Sequence, residues 1–124
     1  LQHRPPTIME EPMTGYFQAF ELDELEKKHA AAGSPYSEFL RRRGVAMGMY
    51  TLPAGTADHQ HPHSADEVYI VLRGRGTLRV VDTDHEVKAG SIVSVDHAGV
   101  HRFTDVAEDL QILVVFAPPD TPDA

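Results

Sequence analysis

Three side chains with metal-ligand chemistry, His61, His63 and Glu67, stand at positions i, i+2 and i+6 within the stretch GTADHQHPHSADEVYIVLRG. Alternate residues of an extended strand share a face. The spacing therefore aims two imidazoles and a carboxylate the same way. Such a trio is half of a metal site. Completing it needs a concave, partly apolar wall that brings further ligands in from elsewhere in the chain.

The rest of the sequence can build that wall. From Ser37 onward, short apolar runs alternate with turn residues, and strands are expected at 37–42, 45–52, 67–73, 77–81, 85–88, 92–95, 101–104 and 110–117. Gly74-Arg75-Gly76 and the region 82–84 are expected as hairpin turns. Many short strands with little helix form a sandwich or a closed barrel. Val68, Ile70 and Leu72 alternate with Glu67, Tyr69 and Val71, so this strand carries apolar residues on both faces. The run Leu110 to Phe116 repeats the pattern. A small monomer would struggle to cover both outer faces, which predicts a homodimer.

Ahead of the strands, one helix is expected over 23–32. Asp23 would cap it, Glu26 would complete a capping box, and Gly33 would stop it. Leu22 and Leu25, with Phe20, would dock it on the outer wall, and 16–22 would form a short strand. Residues 1–14 carry Pro5, Pro6 and Pro12 and are expected to be an extended or disordered arm. The chain thus divides into an arm and helix at 1–36, a barrel at 37–117 and a disordered tail at 118–124.

Charge and composition exclude several function classes. The chain has 124 residues, enough for one domain, and a net charge of −8. That balance argues against nucleic acid and against an anionic membrane surface. The only basic run, Arg41-Arg42-Arg43, is expected as a solvated strand end. The longest apolar run, 112–117, is too short to span a bilayer, and the opening residues have no apolar signal region. Without cysteine any metal is held by nitrogen and oxygen. A cytoplasmic location fits these features.

The stretch also resembles the first motif of the cupin superfamily, G-x5-HxH-x3-E-x6-G, as Gly55, His61, His63, Glu67 and Gly74. The second motif, G-x5-PxG-x2-H-x3-N, is matched by Gly90 and His101. Asp96, Ala98 and Asp105 stand where the family has Pro, Gly and Asn. The resemblance spans 45–117 and implies a small single-domain cupin. Its fold would be all-β, a cupin-type double-stranded β-helix (jelly-roll barrel) with one short N-terminal helix. It also implies one divalent metal ion per chain on His61, His63, Glu67 and His101. Fe(II) is favoured, and Mn, Ni, Zn or Cu are the alternatives.

Four protein ligands leave coordination room for a small-molecule substrate. Tyr69 and Val71 follow Glu67 on its face, and Phe103 follows His101, so these three are expected to line the substrate pocket. Met47 and Met49 share a strand face and pad either the pocket or the outer packing. His59 has the parity of His61 and is an exposed rim residue, an acid/base beside the ligands, or an extra ligand. His3, His29, His85 and His97 are expected at the surface. Tyr69 and His59 are the candidate catalytic groups. The family spans three classes at such a site: a mononuclear metal dioxygenase, favoured here; a redox-neutral isomerase, lyase or decarboxylase; and a non-catalytic binding module.

Overall fold

In the computed structural model, which describes residues 16–58 and 65–119, the apolar alternation becomes one helix and six strands. In chain order these are α1 (Leu22–Ala32), β1 (Tyr36–Arg41), β2 (Ala46–Leu52), β3 (Asp66–Val80), β4 (Thr83–Lys88), β5 (Ile92–Val95) and β6 (His101–Ala117). All pairings are antiparallel, in the order β1-β2-β6-β3-β4, with β5 also on β3. The two long strands form the spine. β6 pairs with β3 from Asp66–Ala117 to Val80–His101. On the other side of β3, β5 takes the first half and β4 the second.

This long ribbon is bent. Its register shifts repeatedly between Val71 and Gly76 and again at Thr77–Leu78, which turns the two halves of the sheet to face each other as a jelly roll. Gly74 sits at the bend with φ +91°, and a Cβ there would stand 2.0 Å from the Asp109 carbonyl oxygen. The expected hairpin at 74–76 is therefore corrected. Its glycines serve a close backbone approach inside one continuous strand, not a turn. Along the partner strand 101–104 and 110–117 are likewise continuous, so among the described residues six strands stand where eight were expected from Ser37 onward. The real hairpin is the two-residue turn Val81-Asp82, closed by Val80 opposite Thr83. Residues 18–21, within the strand expected over 16–22, are neither strand nor helix.

Inward-facing residues from both halves form the core, including Tyr69, Val71, Leu78, Phe103, Leu110 and Ile112. A second cluster lies on the outer face under α1, where Leu25 packs with Phe39 and Met49, flanked by Phe20, Met47, Leu72 and Leu113. This corrects the placement of the methionines. Ala46, Tyr50 and Leu52 join the inner core, so the opposite parity puts Met47 and Met49 under the helix and away from the pocket. Leu22 remains 44% exposed and does not dock.

The helix owes its position to this packing more than to its cap. Glu21 stands at the N-cap with no side-chain hydrogen bond. Asp23 accepts from the Glu24 N–H instead, and Glu26 pairs with Arg73 at 2.9 Å. The expected capping box does not form, because the helix already begins at Leu22, which puts Asp23 inside its first turn, and Arg73 engages Glu26. Gly33 does close the helix, with φ +71°.

His29, expected at the surface, is 3% exposed. It lies four residues after Leu25 and so shares the docked face. Its Nδ1 meets the Ser37 hydroxyl, its Nε2 lies 2.9 Å from Thr51 Oγ1, and the Thr51 hydroxyl donates to Gln111. Since Thr51 spends its hydrogen on Gln111, it accepts from His29 Nε2–H, and Nδ1 accepts from Ser37. The chain is complete with a neutral ring, and burial holds the His29 proton affinity below its ordinary 6.5.

Two predictions follow from these contacts. The unfolded chain takes up a proton at His29 near pH 6.5, before the folded one does. Stability from this group is therefore full above that pH and is lost as pH falls through the lowered folded value. Urea unfolding followed from about pH 8 to about pH 5 will show this slope, and His29→Gln will flatten it. In the same assay Gly74→Ala will cost at least about 2 kcal/mol, because strain and a clash combine. Gly33→Ala, which meets nothing within 4 Å, will cost only about 1 kcal/mol.

Candidate metal centre

Glu67 is the second residue of β3 and His101 the first of β6. In the ladder they belong to opposite ends, Glu67 across from Phe116 and His101 across from Val80. A flat ribbon would hold these ends roughly 40 Å apart at about 3.3 Å per residue. The bend closes that gap, and His101 Nε2 lies 3.2 Å from Glu67 Oε2. Glu67 is 1% exposed and the His101 side chain 5%.

The ring orientation is fixed from behind. His101 Nδ1 lies 2.7 Å from the Gly99 carbonyl oxygen, which can only accept, so Nδ1 carries the hydrogen. Nε2 is thereby turned inward, as in metal-binding histidines steadied by a backbone carbonyl. The turn that delivers this carbonyl is built by Asp96, whose carboxylate accepts from the Ala98 N–H at 2.8 Å and whose carbonyl accepts from Gly99 N–H at 2.9 Å.

Tyr69, fully buried two residues along from Glu67, brings its hydroxyl to 3.0 Å from the same Nε2. Its ring stands edge-on to Phe103 at 5.2 Å. Val71 and Phe103 are each 1% exposed on the inner face, so the three expected pocket residues all point inward. Burial opposes charge on His101, but the Glu67 carboxylate, the Gly99 carbonyl and the nearby Asp58 outweigh it and raise the proton affinity above 6.5.

The donors fit a cation. Two ligands of one ion at about 2.1 Å and a right angle lie about 3 Å apart, and Nε2 and Oε2 stand at 3.2 Å. His59, His61 and His63 fall outside the described residues. Of the trio expected on one strand, β3 carries Glu67 alone, since it begins at Asp66.

Two features escaped the sequence. Asp58 is a buried carboxylate whose oxygens accept from the Tyr50 hydroxyl and the Phe103 N–H, each at 2.7 Å. It lies in a loop, where no periodicity marks burial, and its partners are 8 and 45 residues away. The second is an exposed group of Asp66, Asp96 and His97 with ligand atoms within 4.8 Å of one another. His97 is at the surface as expected, but it is not isolated. Asp66 accepts from its N–H at 2.9 Å and its ring at 3.1 Å, and the backbone bond leads in depressing the Asp66 proton affinity.

Comparison with known proteins bears on this arrangement. A family model described as "Cupin domain" matches residues 48–116. An uncharacterised protein of Streptomyces coelicolor is 46% identical over 104 residues, covering 84% of this chain and 99% of its own length. Among solved structures, an RmlC-like cupin family protein of Methanocaldococcus jannaschii with a double-stranded β-helix fold aligns at TM-score 0.64 and 21% identity. That alignment covers 86% of this chain and 94% of that one. Ectoine synthase from P. lautus aligns at TM-score 0.62 and 20% identity, covering 71% of this chain and 66% of its own. At these identities the two structures establish the fold alone.

The inner and surface groups make opposite predictions. His101→Ala will remove stoichiometric divalent metal while circular dichroism still reports a folded chain, and His97→Ala will leave metal content unchanged.

Proposed function

This chain belongs to the cupin family, and on that footing we propose that it is a metal-dependent enzyme, a mononuclear dioxygenase acting on a small, largely apolar organic substrate. The observation that carries the reading is the convergence of Glu67 Oε2 and the Tyr69 hydroxyl on one inward nitrogen of His101. The proposed ligand set is His61, His63, Glu67 and His101. A divalent ion there, Fe(II) in the favoured case, supplies Lewis acidity and access to dioxygen chemistry.

The chain's own residues do the rest. Val71 and Phe103 give an apolar wall that excludes water and holds an organic body. Tyr69 holds a proton beside the ligand nitrogen and can donate it to a substrate oxygen. The Gly99 carbonyl keeps His101 in the tautomer that leaves Nε2 facing inward. His59 belongs at the rim in this reading.

Tyr69 also favours a second reading. A buried phenol at 3.0 Å from the ligand nitrogen equally suits a redox-neutral isomerisation or elimination, in which substrate protons move while the ion polarises a carbonyl. Ectoine synthase, on the same fold, is an enzyme, and the family as a whole does not fix the reaction.

The proposal extends to a homodimer. Val115 and Val68 form one register-matched pair on the outer face, and Ile70 and Ile92 a second. These side chains are partly exposed, Ile92 to 70%, and a second copy of the chain would cover them.

The test is metal analysis of protein expressed without an affinity tag, then substrate screening with Fe(II) in the presence and absence of dioxygen. Oxygen uptake matching product supports the dioxygenase. Turnover without oxygen supports the redox-neutral reading, and tight binding without turnover under any metal overturns both. Glu67→Gln will weaken the metal less than His101→Ala does and will change which metal is retained.

A further inference from the structure

We propose that Asp58 is a positioning residue for the metal centre, fastening the chain that leads in sequence to His61 and His63 onto the strand that carries His101. The inference rests on the metal reading above. β6 is paired with β3 along its whole length, but β2 covers its other edge only at 110–116. Over 103–109 that edge is left open, and the loop after β2 reaches it, bonding the backbone of its two buried residues, Phe103 and Val106.

Ala54 N–H donates to the Asp109 side chain at 2.8 Å, Gly55 N–H to the Val106 carbonyl at 3.0 Å, and Phe103 N–H to Asp58 Oδ2 at 2.7 Å. As the loop advances from 54 to 58, its ties step back along β6 from 109 to 103. They finish two residues from His101.

Asp58 is the peg at the end of this lacing. Its second oxygen accepts from the Tyr50 hydroxyl of β2 at 2.7 Å. One carboxylate, 4% exposed, thus joins β2, the loop and the first residues of β6. Burying a charge is costly unless it is well bonded, and these are charge-assisted hydrogen bonds. Fixing the Phe103 amide fixes the strand segment whose first residue presents its ring to Glu67 and Tyr69. The negative charge also favours a cation at that ring.

Asparagine separates the two contributions. Its oxygen can accept from Phe103 N–H and its NH2 can donate to the Tyr50 oxygen, so the peg stays while the charge goes.

The experiment measures Zn(II) affinity by chelator competition, and the visible spectrum of Co(II)-loaded protein, in the full chain. Asp58→Ala is expected to weaken Zn(II) by about tenfold or more and to alter the Co(II) bands while the protein stays folded at the assay temperature. Asp58→Asn is expected to keep the bands and lose only a few-fold, roughly, in affinity. Leu25→Ala, which disturbs the separate cluster under the helix, should lower the melting temperature and bind Zn(II) as wild type does.

Wild-type affinity and bands in Asp58→Ala would overturn the proposal. So would an equal loss in Leu25→Ala, since general destabilisation would then account for the effect. Should Asp58→Ala fail to fold, Tyr50→Phe removes one of the two hydrogen bonds; weaker binding with altered bands supports the peg, and unchanged binding overturns it. Wild-type protein that takes up no Zn(II) would overturn the metal reading itself, an outcome visible without any variant.

Discussion

The bend in the paired β3–β6 ribbon is the constraint on which the molecule depends. Glu67 and His101 occupy opposite ends of that ladder, yet their side chains meet at 3.2 Å. They can meet only if the ribbon curls back on itself. The same curl sets Tyr69 against Phe103 and makes one buried core from the inner faces of both halves. Gly74 permits it, since no side chain fits between β3 and the Asp109 carbonyl. Fold and site are thus two consequences of one close backbone approach.

What faces outward is organised differently. The inner face holds the apolar core together with the groups that converge near His101, Asp58 among them. The outer face combines an apolar cluster under α1 with the neutral chain Ser37–His29–Thr51–Gln111. A histidine tolerates such a place only while uncharged. His101 lies on the other side of that balance, since the Glu67 carboxylate favours its charged form. Two buried histidines, one on α1 and one on β6, are held in opposite senses by their neighbours.

Much of the inner site was legible because two independent signals agreed on it. Strand parity put Tyr69 and Val71 on the face of Glu67, motif spacing singled out Glu67 itself, and the second motif pointed to His101. Parity alone failed at Met47 and Met49, where the residues on both faces of β2 are apolar and nothing local marks which face the helix covers. Turn chemistry misled at Gly74-Arg75-Gly76, because glycine marks a close approach as readily as a turn. His29 and Asp58 were opaque for a related reason. Each is a polar residue whose burial is decided by partners far along the chain, such as Thr51 for His29 and Phe103 for Asp58.

X-ray absorption spectroscopy of the metal-loaded protein tests the central claim most directly, because it counts the imidazoles on the ion. Coordination through His61, His63, Glu67 and His101 predicts three imidazoles and one carboxylate in the first shell. A shell with a single imidazole and two carboxylates would instead put the ion on the exposed Asp66, Asp96 and His97, and would contradict the account.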